Sequence, residues 1–572
     1  MPMKKKKQAA ETADTVSTVM DDRISQLPIP ILHHILCSLS QIQAVRTCVL
    51  SKQWRYIGLT RPNLEFYQGW FNYYKTQRNL VSESSEKLFN TTQQNFVSVL
   101  NRILQGYIDQ NLPIHKLRLH IWNPGAQLLI SFLDQWIADC NIKVFKLSLS
   151  FTYDQPWAFF FSESLEELHL RECKLSPVES VRFKSLRTLT LERVQVDCGT
   201  FETKTLGCPL LTRLVLNNCL ELRNVRLSEA PGLKHFELFD YERREGGSIE
   251  IDVPNLETVR IRGPWIWSDL ESTFMFSRLT SLHLCNVILS SESIDLLPFG
   301  CPTLESLALD NCSGFEEFHF ASDSVKRLTI STTEILLKGV TICAPNILNF
   351  MIIAPQVLDT FSITATTSKE WDSNVILNLC DDDDPDNSWF LNLRRMLKPL
   401  SGSRIDLILQ MYRQDVQCGA VDGSRVLSDE PPLVVENLEF RNCKCHTESW
   451  YSDFTNDLFR VCRPRHVWGH RLLCLSEEAR HQSLSKFQFN MLLANMSLGT
   501  FWRHDVEQVH VKIVNGKKWQ LVQWTDLSEL QNRECHGVPC VKLKWSQVRF
   551  EAYAYLVCCD SVMKSGQVRS SV

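Results

Sequence analysis

The sequence predicts an α/β chain in three parts: a short module of three helices, a solenoid of parallel strands forming a curved sheet, and a mixed C-terminal cap. Three observations carry this. Apolar residues between positions 27 and 55 recur at spacings of three and four, with helix-start signals between them. From about residue 114 one strand-like motif returns every 21 to 25 residues. Past about residue 440 it gives way to alternating segments joined by an Asn-Gly turn.

Residues 1–20 are polar and non-periodic, which predicts a disordered tail. Lys4 to Lys7 have the form of a nuclear-import signal, although a solvated basic tail is the favoured reading. No apolar stretch follows MPMKKKKQ, so no secretory signal is expected. Order is expected from Asp21. Pro28 suits the first turn of a helix, where its missing N–H has no partner to lose. Ile31, Leu32, Ile35, Leu36 and Leu39 then give an apolar face too wide for a helix that hides one side. Ser40 to Gln43 has the form of a capping box for a second helix carrying Ala44, Val45, Cys48, Val49 and Leu50. Ser51 can cap a third, with Trp54 and Arg55. So short a segment cannot shelter that much apolar surface by itself.

ISQLPIPILHHILCSLSQIQAVRTCVLSKQWRYIGLTRPNLEF resembles the F-box of plant F-box proteins over residues 22–66. Leu27-Pro28, Ile31-Leu32, Ile35-Leu36, Ala44 to Thr47, Val49 to Lys52 and Trp54-Arg55 fall where that motif has them. Ile57-Gly58 departs from it, since Leu-Trp is common there, and the third helix is expected to be slightly weaker. The resemblance implies docking onto the Skp-type adaptor of a cullin-RING ubiquitin ligase. The side chains expected to dock are Leu27, Pro28, Ile31, Leu32, Ile35, Leu36, Val45, Val49, Leu50 and Trp54.

The returning motif is L-x-x-L-x-L. It appears as Leu165 to Leu170, Leu186 to Leu191, Leu211 to Leu216, Leu233 to Leu238, Leu256 to Ile261, Leu279 to Leu284, Leu304 to Leu309, Val325 to Ile330 and, weaker, Ile347 to Ile352. Earlier copies centre on Leu117 and Leu147. From Leu147 the centres advance by 21, 21, 25, 22, 23, 23, 25, 21 and 22 residues, inside the range of about 20–29 for leucine-rich repeats. The alternation marks a strand whose leucines point inward and whose flanking residues face solvent. The connecting stretches suit short helical turns or extended segments rather than long helices. Such solenoids commonly bind partners on the concave strand face. On it His169, Phe239, Arg260, Arg262 and His283 are the expected target contacts, the last three forming a modest basic cluster.

A helix with Phe96, Val97, Val99, Leu100, Ile103, Leu104 and Ile108 is expected to cap the first repeat. Asp381 to Asp384 predicts a solvated acidic loop, without the ligand spacing of a calcium site. Val509 to Ile513 and Trp519 to Leu521 flank Asn515-Gly516 as a hairpin, and Val541 to Trp545 adds a strand. The expected organisation is a tail over 1–20, an F-box over 21–67, a helical linker and N-terminal cap over 68–113, and the repeat solenoid over 114–355. Degenerate repeats with the acidic loop follow over 356–440, then a mixed α/β cap over 441–572.

Net charge is −4 over 572 residues, so neither nucleic acid nor an anionic membrane is an expected partner. No run nears the roughly 18 apolar residues of a membrane span. Without an export signal the 21 cysteines are expected as reduced thiols, with Cys173, Cys219, Cys285 and Cys312 buried in the repeats. Cys443, Cys445, His446, Cys462, His466, His470 and Cys474 match no common zinc spacing, and Cys535, His536 and Cys540 are weaker still. No phosphate loop, nucleophile elbow or H-E-x-x-H helix is present. The expectation is a non-catalytic adaptor, without cofactor or metal, in the cytoplasm or nucleus. It would bind the Skp-type adaptor, through it the cullin-RING ligase, and an unknown target protein. A repeat scaffold without a ligase role is the alternative, and a metal-dependent enzyme, which would carry stoichiometric zinc, a remoter one.

Overall fold

In the computed structural model the N-terminal segment forms α1 (Ile29–Cys37), α2 (Gln41–Thr47) and α3 (Lys52–Leu59). The structure describes residues 24–469 except 25, 40, 70–84, 122–135, 137–141, 150–161, 176–182, 202–207, 223, 228–229, 240–247, 252, 264–275, 333–336, 366–369, 380–384, 412–430 and 442–447. It also describes 506–512, 520–522, 540–545 and 553–557. Two units are present: residues 1–176 with 180–186, and residues 177–179 with 187–572. The tail, Ser40 of the capping box and the acidic loop lie outside the described residues.

In the first unit the Pro28 carbonyl accepts from the backbone N–H groups of Ile31 and Leu32, at 2.9 and 3.1 Å, and so starts α1. Ser51 caps α3, its hydroxyl accepting from the Trp54 N–H at 3.2 Å. Leu32, Leu36, Ala44, Trp54 and Ile57 make the core, with Leu27, Ile35 and Leu39 packed at its margin. The departure from the F-box pattern at Ile57-Gly58 has a packing role. Ile57 is fully buried, and a Cβ on Gly58 would stand 2.6 Å from Cys48 Sγ, so glycine lets α2 and α3 approach closely.

A strand, β1 (Asn63–Tyr67), follows at once, inside the segment assigned to the helical module. It pairs in parallel with β2 (Lys116–Ile121), Leu64 opposite Leu117. Between them α4 (Ser85–Asp109) buries Phe96, Val97, Leu100, Leu104 and Tyr107 at helical spacing, leaving Val99 and Ile103 over a third exposed. The Tyr107 hydroxyl donates to the Arg61 carbonyl at 2.9 Å, and burial pushes its pKa to about 12. β3 (Val144–Leu149) and β4 (Glu167–Arg171) continue the parallel ladder. Phe145, not Leu147, stands opposite Leu168, so the centre expected at Leu147 sits two residues late. An aromatic takes the place of the leucine, and the letter pattern had slipped by one alternation.

The second unit contains β5 (Thr188–Glu192), β6 (Arg213–Asn217), β7 (Asn224–Arg226), β8 (His235–Phe239), β9 (Ser248–Glu250), β10 (Thr258–Arg262) and β11 (Ser281–Cys285). Then come α5 (Ser291–Gly300), β12 (Ser306–Asp310), β13 (Glu317–Ala321), β14 (Arg327–Ser331), β15 (Gly339–Cys343), β16 (Asn349–Ala354) and β17 (Thr360–Thr364). The main ladder is parallel, with Leu189, Leu214, Phe236, Val259, Leu282, Leu307, Leu328 and Phe350 in one register, as the motif predicts. The return segments are largely extended: β13, β15 and β17 form a small parallel sheet, and β7 pairs with β9.

Four of these repeats leave the strand through one left-handed residue. Arg193, Asn218, Asn286 and Asn311 have φ of 50°, 48°, 57° and 50°. A buried Val194, Cys219, Val287 or Cys312 follows. The thiols of Cys219 and Cys312 donate to the Leu191 and Leu284 carbonyls, at 3.6 and 3.5 Å, and burial holds both near pKa about 12. Cys285 does not join them. It occupies an outward position of β11 and is half-exposed.

The repeat fades in letters beyond 355, but the ladder continues. β18 (Asp372–Leu379), β19 (Arg404–Met411), β20 (Leu433–Arg441) and β21 (Cys462–Gly469) add in parallel, with Val375, Leu407, Leu438 and Val467 in register. Ser373 replaces the leucine opposite Phe350, buried with its hydroxyl 2.6 Å from that of Ser403. The crossovers lengthen into α6 (Asn387–Leu397) and α7 (Glu448–Val461), joined by Trp389, Phe390 and Phe454. So the parallel sheet extends into the stretch read as a cap. Beyond it β22 (Val506–Lys512), β23 (Gln520–Val522), β24 (Cys540–Trp545) and β25 (Tyr553–Val557) pair mostly antiparallel, and the expected hairpin sets Val509 opposite Val522. No described helix is long and apolar enough to cross a membrane.

Candidate functional site

The helical module divides the expected docking side chains into two groups. Leu32, Leu36 and Trp54 are interior, at 0, 0 and 6 % exposure, and hold α1 to α3. Leu27 and Ile35 lie half-buried at the margin of that core. Ile31, Val45, Val49 and Leu50 are 48, 56, 86 and 66 % exposed, and Pro28 is exposed beside them. The helical period explains the split: one stripe of each short helix faces the shared core, and its other apolar residues have none left to join. Ile29, Tyr56 and Leu59 are exposed as well, and the motif alone did not single them out. Of sixteen large apolar side chains standing exposed among the described residues, eight fall within residues 24–59, so the surplus surface is local to this module.

In the second unit the outward residues of β6 to β12 include two side-chain-linked groups, one across β6 and β8 and one across β10 to β12. Arg260 Nη2 lies 3.4 Å from His283 Nδ1, and His283 Nε2 lies 2.6 Å from Asp310 Oδ2. Arginine can only donate, so Nδ1 accepts and Nε2 carries the proton that Asp310 receives. Glu237, largely buried and opposite Arg260 in register, pairs with Arg213 at 2.5 Å. Arg262 stands beside Cys285, which is in turn beside Asp310, and Phe239 beside Asn217. The expected basic cluster is thus a mixed one, two carboxylates among three guanidiniums. His169, the fifth expected contact, lies on β4 of the first unit, next to Lys146.

Sequence reasoning missed a change of character further along this face. Ile353, Ile376 and Ile408 stand in one register row on β16, β18 and β19, with Met351, Asn374 and Asp406 in the next. Burial raises the Asp406 carboxyl, while the Asn437 amide, donating at 2.6 Å, draws it back. The alternation in Ile405 to Met411 was visible, but without the motif letters its outward positions had no repeat to belong to.

Among the described residues no group of three or more His, Cys, Asp or Glu could hold a metal ion. Cys462 is fully buried, its pKa about 12, and His466 Nδ1 faces the Glu436 carbonyl at 2.9 Å. The other residues of that Cys/His set, with Cys535 and His536, lie outside the described residues.

The F-box domain model matches residues 24–64. Two leucine-rich-repeat models match overlapping stretches: the LRR domain of At1g61320/AtMIF1 over 103–270, and the LRR repeats of the FBD-associated F-box protein At5g56370 over 251–363. F-box protein At5g03100 of Arabidopsis thaliana is 30 % identical over 222 residues, 38 % of this chain and 63 % of that protein. Putative F-box/LRR-repeat protein At5g02930 of the same plant is 27 % identical, over 47 % of this chain and 52 % of its own length. F-box/LRR-repeat protein 25, also from Arabidopsis thaliana, is 29 % identical, over 44 % and 89 %. The chain thus spans between about half and two thirds of the first two relatives, and most of the third. Three short helices matching the F-box, followed by a parallel leucine ladder matching the repeats, make this chain a plant-type F-box/leucine-rich-repeat protein.

Proposed function

We propose that this chain is the substrate-recognition subunit of a Skp–cullin–F-box ubiquitin ligase. The carrying observation is the set of apolar side chains that the helical module leaves exposed, among them Ile31, Val45, Val49 and Leu50. A standard interface of ~1,600 Å² would cover it, packing partner helices against these side chains. The outward residues of the repeat strands then hold a target protein. Phe239, Arg260, Arg262 and His283 are candidates in the second unit, and His169 in the first. The chain supplies no chemistry of its own. Holding a target near a ubiquitin-charged enzyme raises the effective concentration of its lysines, and that is the whole mechanism.

Affinity purification of the full chain from plant cells tests the reading. A Skp-type adaptor and a cullin should co-purify in stoichiometric amounts. A chain that captures other proteins and leaves both behind is a repeat scaffold instead.

A further inference from the structure

The outward face of β16, β18 and β19, all in the second unit, differs in chemistry from the charged stretch across β6 to β12. Ile353, Ile376 and Ile408 form one row across the three strands, and two residues further along β18 and β19 the next row holds Asn378 and Gln410. The ion pairs nearby are closed among themselves. Arg404 Nε lies 2.9 Å from Asp372 Oδ1, Arg441 Nε 2.9 Å from Glu439 Oε1, and Arg465 Nη1 3.2 Å from Glu436 Oε2. Asp406 accepts from the Asn437 amide at 2.6 Å, and burial favours its neutral form. A charged partner gains little on such a surface.

What the face lacks is a donor for Asn378. This side chain is 6 % exposed, and its Oδ1 is buried without a hydrogen-bond partner, which is unfavourable for so polar an atom. A side-chain amide offers an acceptor and two donors from one planar group, and a peptide group returns a donor and an acceptor. Alternate side chains on one face of a strand stand about 6.6 Å apart. An extended segment lying along β18 keeps the same period. When one of its side chains rests on Ile376, its backbone about two residues on reaches Asn378. The isoleucine row spans about 10 Å from Ile353 to Ile408 at a strand spacing of about 4.8 Å, wide enough for a phenylalanine or leucine side chain. Ile353 and Ile408 are half-buried and Ile376 is 8 % exposed, so the row forms a recessed floor.

We infer that this face holds an extended segment of the target protein, with a large apolar side chain on Ile353, Ile376 and Ile408 and a backbone peptide group on Asn378. Backbone pairing fixes the register of the segment, and the isoleucine row selects its side chain. The inference rests on the reading of the repeat strands as the target-holding surface, and it names the kind of segment they take here.

Fluorescence anisotropy on the full chain tests this with degenerate labelled peptide pools. One pool fixes phenylalanine or leucine at its centre, one fixes serine there, and a third repeats the first with backbone nitrogens methylated within two residues of the centre. The apolar pool should bind at least about tenfold tighter than the serine pool, and Ile408→Glu should weaken it about tenfold or more. Methylation should weaken binding about threefold or more in the native chain and add no loss in Asn378→Ala, which already lacks the acceptor. Lys338→Gln, outside this face where Lys338 pairs with Glu316, must leave every value unchanged. Should Ile408→Glu melt early, the methylated pool carries the comparison, because it alters only the ligand. Three results overturn the inference: equal binding of the apolar and serine pools, equal binding in all variants, or N-acetylphenylalanine amide binding as tightly as the apolar pool, the mark of a small-molecule pocket. Adaptor co-purification, scored on the same preparations, judges the ligase reading separately, and an adaptor-bound chain without pool preference sinks this site alone.

Discussion

Replacing Val49 and Leu50 together by Asp should abolish adaptor binding while leaving the module folded. The two side chains are 86 and 66 % exposed, so their loss removes almost no internal packing, and the fold should change by under about 0.5 kcal/mol per site. Covered by a partner, each is worth about 1.5–3 kcal/mol of apolar burial. The pair should therefore weaken binding by about 3–6 kcal/mol, a hundredfold at the least, before counting the desolvation of two carboxylates. Leu36→Ala is the contrast, because Leu36 is fully buried in the five-residue core and its truncation should destabilise the module by about 2–5 kcal/mol. Calorimetric titration of the full chain with a purified Skp-type adaptor, beside thermal melts by circular dichroism, reads both effects. A Val49→Asp/Leu50→Asp chain that melts normally and binds within about threefold of the native chain would refute the assignment of this face.

Gly58→Ala should lower stability by about 1 kcal/mol despite alanine's better helix propensity, because the new Cβ meets Cys48 Sγ at 2.6 Å. Adding Cys48→Ala should restore most of the loss in urea unfolding, and strict additivity of the two changes would contradict the packing account. Arg260→Glu with Arg262→Glu should reduce target capture in pull-downs without altering adaptor binding; undiminished capture would redirect attention to the Ile353, Ile376 and Ile408 row. Asp386 caps α6, accepting from the Trp389 N–H at 2.8 Å, and Asp386→Ala should cost about 1 kcal/mol at pH 7. The Ser388 hydroxyl and the Trp389 N–H hold the Asp386 carboxyl below the usual aspartate range, so its stabilisation is present above the unfolded value of about 4 and is lost as pH falls through the folded one. Melts of the native and variant chains should draw together as pH falls below the unfolded value, and a gap that does not narrow in acid would rule out the charged cap.

The repeat strands were legible because their signal is redundant. Each needs only that inward positions be apolar at period two, and eight successive centres from Leu189 to Phe350 repeat that demand in one register. Where the demand is met by other letters, the pattern was lost or displaced. Phe145 fills a leucine position and moved the apparent centre to Leu147, and Ser373, satisfied by Ser403, erased the motif just where the ladder continues. The strand at β1 was hidden for a different reason. Its partner β2 begins 53 residues after β1 does, and nothing in five residues announces a neighbour so distant.

The sequence by itself determined that a short helical module carries more apolar surface than it can bury, and that a leucine ladder follows. Both are statements about composition and period, which are local. Only the tertiary structure decided which apolar residues are sheltered and which face outward, and which of Arg213, Glu237, Arg260, His283 and Asp310 neutralise one another. Burial and charge pairing depend on which strands lie side by side, and that is set by packing across repeats rather than by any one of them.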